Sequence, residues 1–318
     1  MALSVKLRIC LFKAAMLLFL CCLLAFPSAA LSGAKSGLLL WFNQVLPSLL
    51  PFLILSILFL STGLSDSIAR KTAPVLSPIF RCSPAGCYAV IIGLLAGLPV
   101  GAKTIADLTS SGRITKKEGQ YLLPLCNNPS PLFLLGFISV SVLERPDLRY
   151  LVLFTVTLSS ILAAILMRPR PELESSSSVA SHLTTLPPKN VSFSFLMLDS
   201  AIEQAFSTLT RVGGYIILFS VLANLLTKLP LPPVFLACTG AILEITTGST
   251  ALSSLSLSPD ALLPLILCFV TFGGLSTAAQ TKSVLAGTKF PFAHYLLTKS
   301  VAGLIAGLLT IVVLKLRG

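Results

Sequence analysis

The sequence is poor in charged residues, which make up only 11% of its 318 positions. Soluble domains carry about 25% Asp, Glu, Lys and Arg, so this chain cannot cover a water-facing surface in the usual way. Hydrophobic residues make up 55% and occur in long blocks, and a helix needs about 20 predominantly apolar residues to cross a bilayer. The composition predicts an all-α, polytopic membrane protein in contact with lipid, with no stretch left for a separate soluble enzyme domain.

Histidine is scarce, and the short motifs of metal sites and enzymes are missing. The chain has two histidines and eight cysteines, with no CxxC pair, so neither a zinc or iron–sulfur centre nor a disulfide framework is predicted. Walker A, HExxH and GxSxG patterns do not occur either, which gives no support to an enzyme. We therefore expect no catalytic residue, no metal and no cofactor.

Acidic residues are outnumbered, with 11 Asp and Glu against 23 Lys and Arg and a net charge of +12. In a soluble protein this excess would indicate nucleic-acid binding. Here the basic residues lie in short segments between apolar blocks, which is typical of the positive-inside rule for membrane proteins. We therefore expect no nucleic-acid partner.

The apolar blocks divide the chain into four regions. They are an N-terminal transmembrane helix at 1–37, a first repeat at 38–167, a Ser- and Pro-rich linker at 168–199 and a second repeat at 200–318. The basic and apolar start of the chain also fits a cleaved signal peptide. Its apolar stretch is long enough to span a bilayer, which favours a retained helix.

Each repeat has two polar or glycine-rich breaks within apolar blocks. They lie at 97–101 and 127–131 in the first half, and at 244–248 and 273–277 in the second. In lipid, each freed backbone group costs several kcal/mol, so such breaks survive only against protein or a cavity. Weak internal similarity of this kind is typical of transporters built from repeats. The alternatives are chance similarity between apolar segments and simple kinks packed against neighbouring helices.

The charge distribution favours two re-entrant hairpins. If the blocks at 85–108 and 231–257 return to the side they entered, seven other blocks cross the membrane. The cytoplasmic side then holds 15 of the 23 basic residues and the outer side six, whereas full crossings would shrink or reverse this bias. Three crossings per repeat also place the two halves in opposite orientations, as in inverted-repeat transporters.

Four breaks that meet at mid-membrane would form one substrate site. Half-helix N-termini there would attract an anion, and Glu244 is a functional candidate because a carboxylate is costly inside a membrane. Glu244 could bind a coupling proton or Na+, bond to substrate, or cap a broken helix, and Lys103 could face substrate or snorkel to the interface. The predicted substrate-binding residues are Pro99, Gly101, Lys103, Asn127, Asn128, Ser130, Glu244, Thr246, Thr247, Gly248, Ser276, Thr277 and Gln280.

Three of these stretches, 97–103, 126–131 and 272–276 with Gln280, resemble the sporulation integral membrane proteins of endospore-forming bacteria. That family carries the nucleoside-recognition, or Gate, domain, and the resemblance runs from about residue 38 to the end. It implies a role in spore formation, in which dipicolinic acid leaves the mother cell across the outer forespore membrane. The Gate domain is in turn similar to concentrative nucleoside transporters, where two hairpins and two unwound helices bind nucleoside and cation.

Three functions follow as expectations. The first is a carrier for a small anionic metabolite, with dipicolinate as the cargo. The second is a permease for a nucleoside or another small metabolite, and the third is a membrane assembly protein of sporulation that transports nothing. The sequence leaves open the direction of transport, the coupling ion and whether the chain forms a homo-oligomer.

Overall fold

The computed structural model describes residues 5–168, 194–285, 287–288 and 290–317. This described part is helical, and no strand occurs in it, which confirms the all-α prediction. Residues 169–193 of the predicted linker at 168–199 lie outside the described residues, and its last five residues, 195–199, belong to a helix that starts earlier than predicted. The α-helices are α1 (Val5–Ala25), α2 (Pro27–Leu40), α3 (Leu46–Thr62), α4 (Leu64–Phe80), α5 (Pro84–Ala96), α6 (Val100–Ser110), α7 (Lys116–Cys126), α8 (Arg149–Leu166), α9 (Phe195–Leu226), α10 (Pro233–Leu243), α11 (Ile245–Ser253), α12 (Pro259–Phe272), α13 (Gly274–Val284) and α14 (Phe292–Arg317).

Five described stretches are long and apolar enough to cross a bilayer, which identifies a multi-pass integral membrane protein. The bent pair α4 and α5, which turns by 87°, is either a sixth, broken span or part of a re-entrant loop. Two of the seven predicted crossings, at 9–30 and 122–143, correspond only to shorter apolar helices. The five stretches are Pro27–Thr62, Pro146–Leu166, Phe195–Leu226, Pro259–Val284 and Phe292–Leu316.

Two helix boundaries differ from the sequence-based expectation. The first helix ends at Ala25, and a new helix starts at Pro27, because proline suits the first helical turn but not a helix interior. The apolar blocks left 65–84 unassigned, yet α4 forms there. That helix is amphipathic and not uniformly apolar, so it gives no continuous apolar run. Its Asp66 forms an ion pair with Arg113 in the turn after α6.

Both blocks predicted to re-enter fold back on themselves as helical hairpins. In the first hairpin, α5 and α6 meet so closely that a Cβ on Gly101 would lie 3.1 Å from the Cα of Gly93. In the second, α10 and α11 join at Glu244, and Gly248 packs directly against the backbone of Ala241. Only glycine allows two helix backbones to approach at these distances.

Each hairpin tip packs against a broken helix of its own half. In the first half, the tip residue Leu98 donates its N–H to the carbonyl of Asn128 at 2.7 Å, where the helix after α7 is interrupted. In the second half, a Cβ on Gly274, between α12 and α13, would lie 3.3 Å from the carbonyl oxygens of Ala241 and Ile242. The order of hairpin, broken helix and closing helix therefore occurs twice. The opposite orientation of the two halves in the membrane stays a prediction.

A π-helical segment, Trp41–Val45, connects α2 to α3 and fixes both against the long helix α9. The indole N–H of Trp41 donates to the carbonyl of Leu209 at 2.9 Å. Its ring occupies the space that a side chain at Gly213 would need. π-Helical turns occur preferentially at functional sites, and this one turns Gln44 and Val45 toward the centre of the protein. A second π-helical segment, Phe133–Val142, continues the broken helix after α7.

Gly248→Ala is expected to destabilise the protein, because the added methyl group collides with the backbone of Ala241. Overpacking of this kind costs about 1–3 kcal/mol. The matched variant Gly214→Ala adds the same group in α9, where nothing lies within 4 Å of it, and should be neutral or stabilising by up to ~1 kcal/mol. Thermal unfolding of both variants in detergent measures the difference. Equal midpoints would contradict the close packing of the second hairpin.

Candidate functional site

One central cavity is bordered by all four breaks. Its walls come from both hairpin tips, both broken helices, the π-helical segment after α2 and the middle of α9. The lining residues are Gln44, Val45, Ser48, Leu49, Leu98, Pro99, Pro129, Ser130, Phe133, Val212, Ile216, Glu244, Ile245, Thr246, Thr277 and Gln280. Six of the predicted substrate-binding residues are among them: Pro99, Ser130, Glu244, Thr246, Thr277 and Gln280. The breaks are far apart in sequence, so their meeting is a property of the fold.

The cavity is small in this conformation, with about 50 Å³ of free space. A single water molecule needs about 10–15 Å³ on the same scale, so the space holds a few waters and not a metabolite. Binding of a larger molecule therefore requires the walls to separate. Because the walls belong to separate hairpins and broken helices, small shifts between these units can enlarge the cavity without unfolding a helix.

Glu244 caps helix α11 from the position just before it. One carboxylate oxygen accepts the N–H of Thr246 at 3.0 Å and the N–H of Thr247 at 2.8 Å, and both threonine hydroxyls donate to the carboxylate at 3.0–3.1 Å. The two N–H donors are free groups at the start of the helix, and the carboxylate satisfies them as an N-cap residue does. The two hydroxyls bring the hydrogen bonds to this buried carboxylate to four. Of the roles that the sequence left open for Glu244, these hydrogen bonds describe helix capping.

The helix N-termini at the cavity are not equivalent. Glu244 neutralises the start of α11, and Ser130 accepts the N–H of Phe133 at 3.2 Å at the start of the second π-helical segment. Helix α6 begins after Pro99 and helix α13 after Gly273, and neither residue provides a side-chain cap. The free N–H groups and partial positive charge of a helix start are therefore retained at α6 and α13.

Asn127 and Asn128 do not line the cavity and instead connect the first broken helix to the other half. The amide of Asn127 donates to the hydroxyls of Thr281 and Tyr295 at 2.7 and 2.8 Å. Its oxygen is buried and has no hydrogen-bond partner among the described residues. An unsatisfied buried acceptor is rare, and a water or a ligand hydroxyl entering the break would satisfy this one.

Lys299, in the interior of α14, is a candidate that the sequence analysis did not select. Its side chain is 1% exposed, and its ammonium donates to Oδ1 of Asn128 at 2.7 Å. The same oxygen accepts the hydroxyl of Ser160 at 2.8 Å. The Cε atom of Lys299 lies 3.9 Å from where a Cβ on Gly273 would be. The buried amine therefore donates to the first broken helix, and the side chain that carries it lies close to the break of the second.

Lys299 forms no ion pair with an acidic side chain in the described part of the chain, unlike Lys103, Arg113 and Arg145. Burying an unpaired charge is expensive, and ionisable groups at membrane depth mark substrate and ion pathways. The same rule that selected Glu244 applies to a lysine in the last apolar block, and it would have found Lys299 from the sequence.

The remaining predicted residues have structural roles or lie elsewhere. Gly101 packs against the backbone of Cys126 and Gly248 against that of Ala241, so both allow close helix contact. Thr247 belongs to the cap made by Glu244, and Ser276 accepts a hydrogen bond from Gln280 at 3.1 Å. Lys103 lies one turn of α6 beyond the central cavity and forms an ion pair with Asp107.

Comparison with curated proteins finds a relative that aligns with this chain over most of both sequences. The protein is 28% identical over 323 aligned positions, which is 91% of this chain and 78% of the relative, to the sporulation integral membrane protein YlbJ of Bacillus subtilis strain 168. The chain is similar to a sporulation membrane protein. No protein-family model matches the chain, and no solved structure matches it. The similarity supports the sporulation membrane family, and the apolar helices agree with a multi-pass integral membrane protein.

Glu244→Ala is expected to lower the stability of the protein by about 1–3 kcal/mol, because it removes a helix cap and leaves buried donors without an acceptor. Glu203→Ala removes the same charge from an exposed position of α9 and should change stability by less than about 0.5 kcal/mol. Thermal unfolding in detergent compares the two. A capping role for Glu244 is wrong if both variants unfold at the same temperature.

Proposed function

We propose that the chain is a transporter for a small anionic metabolite, and that its cargo during sporulation is dipicolinate, exported from the mother cell across the outer forespore membrane. It acts as a carrier and not as an enzyme. The observation that carries the proposal is the central cavity, which all four breaks border. Irregular backbone at membrane depth is tolerated where it lines a binding cavity, and broken helices of this kind form the substrate sites of many secondary transporters.

The unpaired charge of Lys299 supports an anionic cargo. Its ammonium donates to the first broken helix and its side chain lies beside Gly273 of the second, where the uncapped start of α13 adds partial positive charge. A dianion such as dipicolinate supplies the negative charge that the described part of the protein lacks around Lys299. The similarity to a sporulation integral membrane protein of Bacillus subtilis supplies the context of sporulation.

A nucleoside or another uncharged polar metabolite is the second candidate, and the cavity wall favours it. The lining residues include no lysine or arginine and one carboxylate, that of Glu244. The other polar groups are hydroxyls and amides, which bond to an uncharged ligand without requiring a counter-charge. The two candidate functions therefore differ in one property, which is whether the ammonium of Lys299 attracts the cargo electrostatically.

Uptake into proteoliposomes of labelled dipicolinate against a panel of labelled nucleosides tests the proposal. The full chain is expected to move dipicolinate faster than protein-free liposomes and faster than it moves any nucleoside. Movement of a nucleoside without dipicolinate would replace the first candidate with the second. No movement of either would contradict both and favour a membrane assembly role.

Lys299→Met is expected to slow dipicolinate uptake by about 30-fold, because loss of a unit charge several ångströms from an anion costs roughly 2 kcal/mol at an effective dielectric constant of about 20. Methionine retains the length of the side chain, and Ser160 still bonds to the oxygen of Asn128 that Lys299 releases. Lys315→Met removes a charge from an exposed position of α14 and should leave uptake unchanged.

Uptake of an uncharged dicarboxamide analogue of dipicolinate by the Lys299→Met protein separates charge from structure. If Lys299 acts through its charge, the analogue is carried equally well with and without the substitution. An equal fall for the acid and for the amide would show that Lys299 only supports the fold.

A further inference from the structure

A second and larger cavity lies beside the central one, with a volume of about 610 Å³. This is within the range of about 300–1,000 Å³ that is typical of small-molecule sites. Its walls come from α6, α9 and α13 and from the turn that follows α13. The lining residues are Lys103, Ala106, Asp107, Ser110, Glu203, Gln204, Ser207, Thr208, Arg211, Ser283, Val284, Gly287 and Thr288. Several of them, including Ser110, Ser207 and Arg211, are exposed, so the cavity is open to the outside.

Helices α9 and α13 line both cavities with one continuous face each, and α6 lines the outer cavity while Pro99, the residue just before it, lines the central one. The lining residues run from Pro99 through Lys103 to Asp107, at intervals of four residues. On α9 the face runs in the sequence 216, 212, 208 and 204, and on α13 in the sequence 277, 280 and 284. Residues three or four positions apart lie on one side of a helix. The two cavities therefore follow one another along the same space between these helices.

Only a thin layer of side chains separates the cavities. Pro99 and Lys103 are four residues apart, Gln280 and Ser283 are three apart, and Val212 follows directly after Arg211. At 1.5 Å per residue this is about one helical turn, or roughly 5 Å. Gln280 is buried and held by Ser276, and Thr208 is buried on the opposite helix. Rotation of such polar side chains opens a route without breaking a helix.

The charges of the outer cavity are ordered along this route. On α6, Lys103 lies nearer to the central cavity than its ion-pair partner Asp107. On α9, Arg211 lies nearer than Glu203. Both helices therefore place the acidic residue toward the outside and the basic residue toward the central cavity. Charges that line a cleft concentrate and orient ions of opposite sign, so the basic residues at the inner end attract an anion that enters this cavity.

We propose that the outer cavity is the access vestibule through which an anionic substrate reaches the central cavity, and that Lys103 and Arg211 form a first binding position at its inner end. This inference rests on the proposed transport function and deepens it. The positive-inside analysis places the α6–α7 turn in the cytoplasm, so the vestibule opens to the cytoplasmic side. Lys103 belongs to the entry route under this proposal and does not contact substrate in the central cavity.

Thiol labelling of Ser207→Cys, at the wall of the vestibule, tests the route. The probe is a membrane-impermeant sulfonate thiol reagent, added to the side that carries the α6–α7 turn, and adducts are counted by intact mass relative to the parent protein with its eight cysteines. We expect one additional adduct, slower labelling in saturating dipicolinate, and inhibition of dipicolinate uptake once the site is modified. Ser300→Cys, on the exposed apolar face of α14 with Leu297 and Leu304, is the matched control and should stay unlabelled.

Charge neutralisation tests the first binding position. Lys103→Gln and Arg211→Gln should each raise the KM for dipicolinate about fivefold, with the maximal rate retained and with no effect on an uncharged analogue. Lys315→Gln, outside both cavities, should leave the KM unchanged. Equal effects of Lys103→Gln and Arg211→Gln on charged and uncharged cargo would overturn the anion position.

Labelling is measured independently of transport, so the experiment can contradict the vestibule proposal without contradicting the carrier proposal. Uptake of dipicolinate by a protein whose Ser207→Cys variant is unreactive, or remains fully active after modification, overturns the vestibule and leaves the carrier proposal standing. Labelling with no uptake of any cargo overturns the carrier proposal and, with it, the vestibule.

Discussion

Inside a bilayer every backbone N–H and C=O group needs a hydrogen-bond partner from the protein, and the meeting of the hairpins and broken helices depends on this constraint. A helix interrupted inside a bilayer exposes N–H and C=O groups that lipid cannot satisfy. In the first half, the hairpin tip meets this need, since Leu98 donates to the carbonyl of Asn128. Elsewhere the chain uses its own side chains, such as the carboxylate of Glu244 at the start of α11. Breaks that have to be satisfied by protein are thereby brought together, and the central cavity is the space that remains between them.

Charge is distributed unevenly around that space. The one carboxylate in the cavity wall accepts four hydrogen bonds from its own helix, so little of its charge remains to attract a cation. Lys299 lies behind the wall, donates to Asn128 of the first broken helix and lies close to Gly273 of the second, with no acidic partner among the described residues. Two alternatives follow from this geometry: the charge of Lys299 selects the cargo, or the ammonium serves as a brace between the halves. The cost of burying an unpaired charge favours the first.

The sequence was sufficient to predict the class of fold and the places of the four breaks, because long apolar blocks and glycine or proline interruptions are local signals. It did not predict α4, whose polar residues hide it from a search for apolar runs. Nor could it separate residues that line the cavity from residues that allow close packing. Gly101 and Gly248 have the latter role because the opposing backbone lies against them, and that distance exists only after folding. Lys299 could have been selected from the sequence, because an ionisable side chain inside an apolar block marks a functional candidate. Its contact with Asn128, 171 positions away in the sequence, exists only after folding.

An experimental structure of the protein in lipid nanodiscs with saturating dipicolinate tests whether the four breaks form one substrate site. We expect ligand density between the two hairpin tips, bordered by Pro99, Ser130, Glu244 and Thr277, in a cavity larger than about 50 Å³. We also expect the ligand carboxylates to approach the α13 start and Lys299 more closely than they approach Glu244. Straight helices at the four breaks, or lipid in place of the cavity, would show that no such site exists.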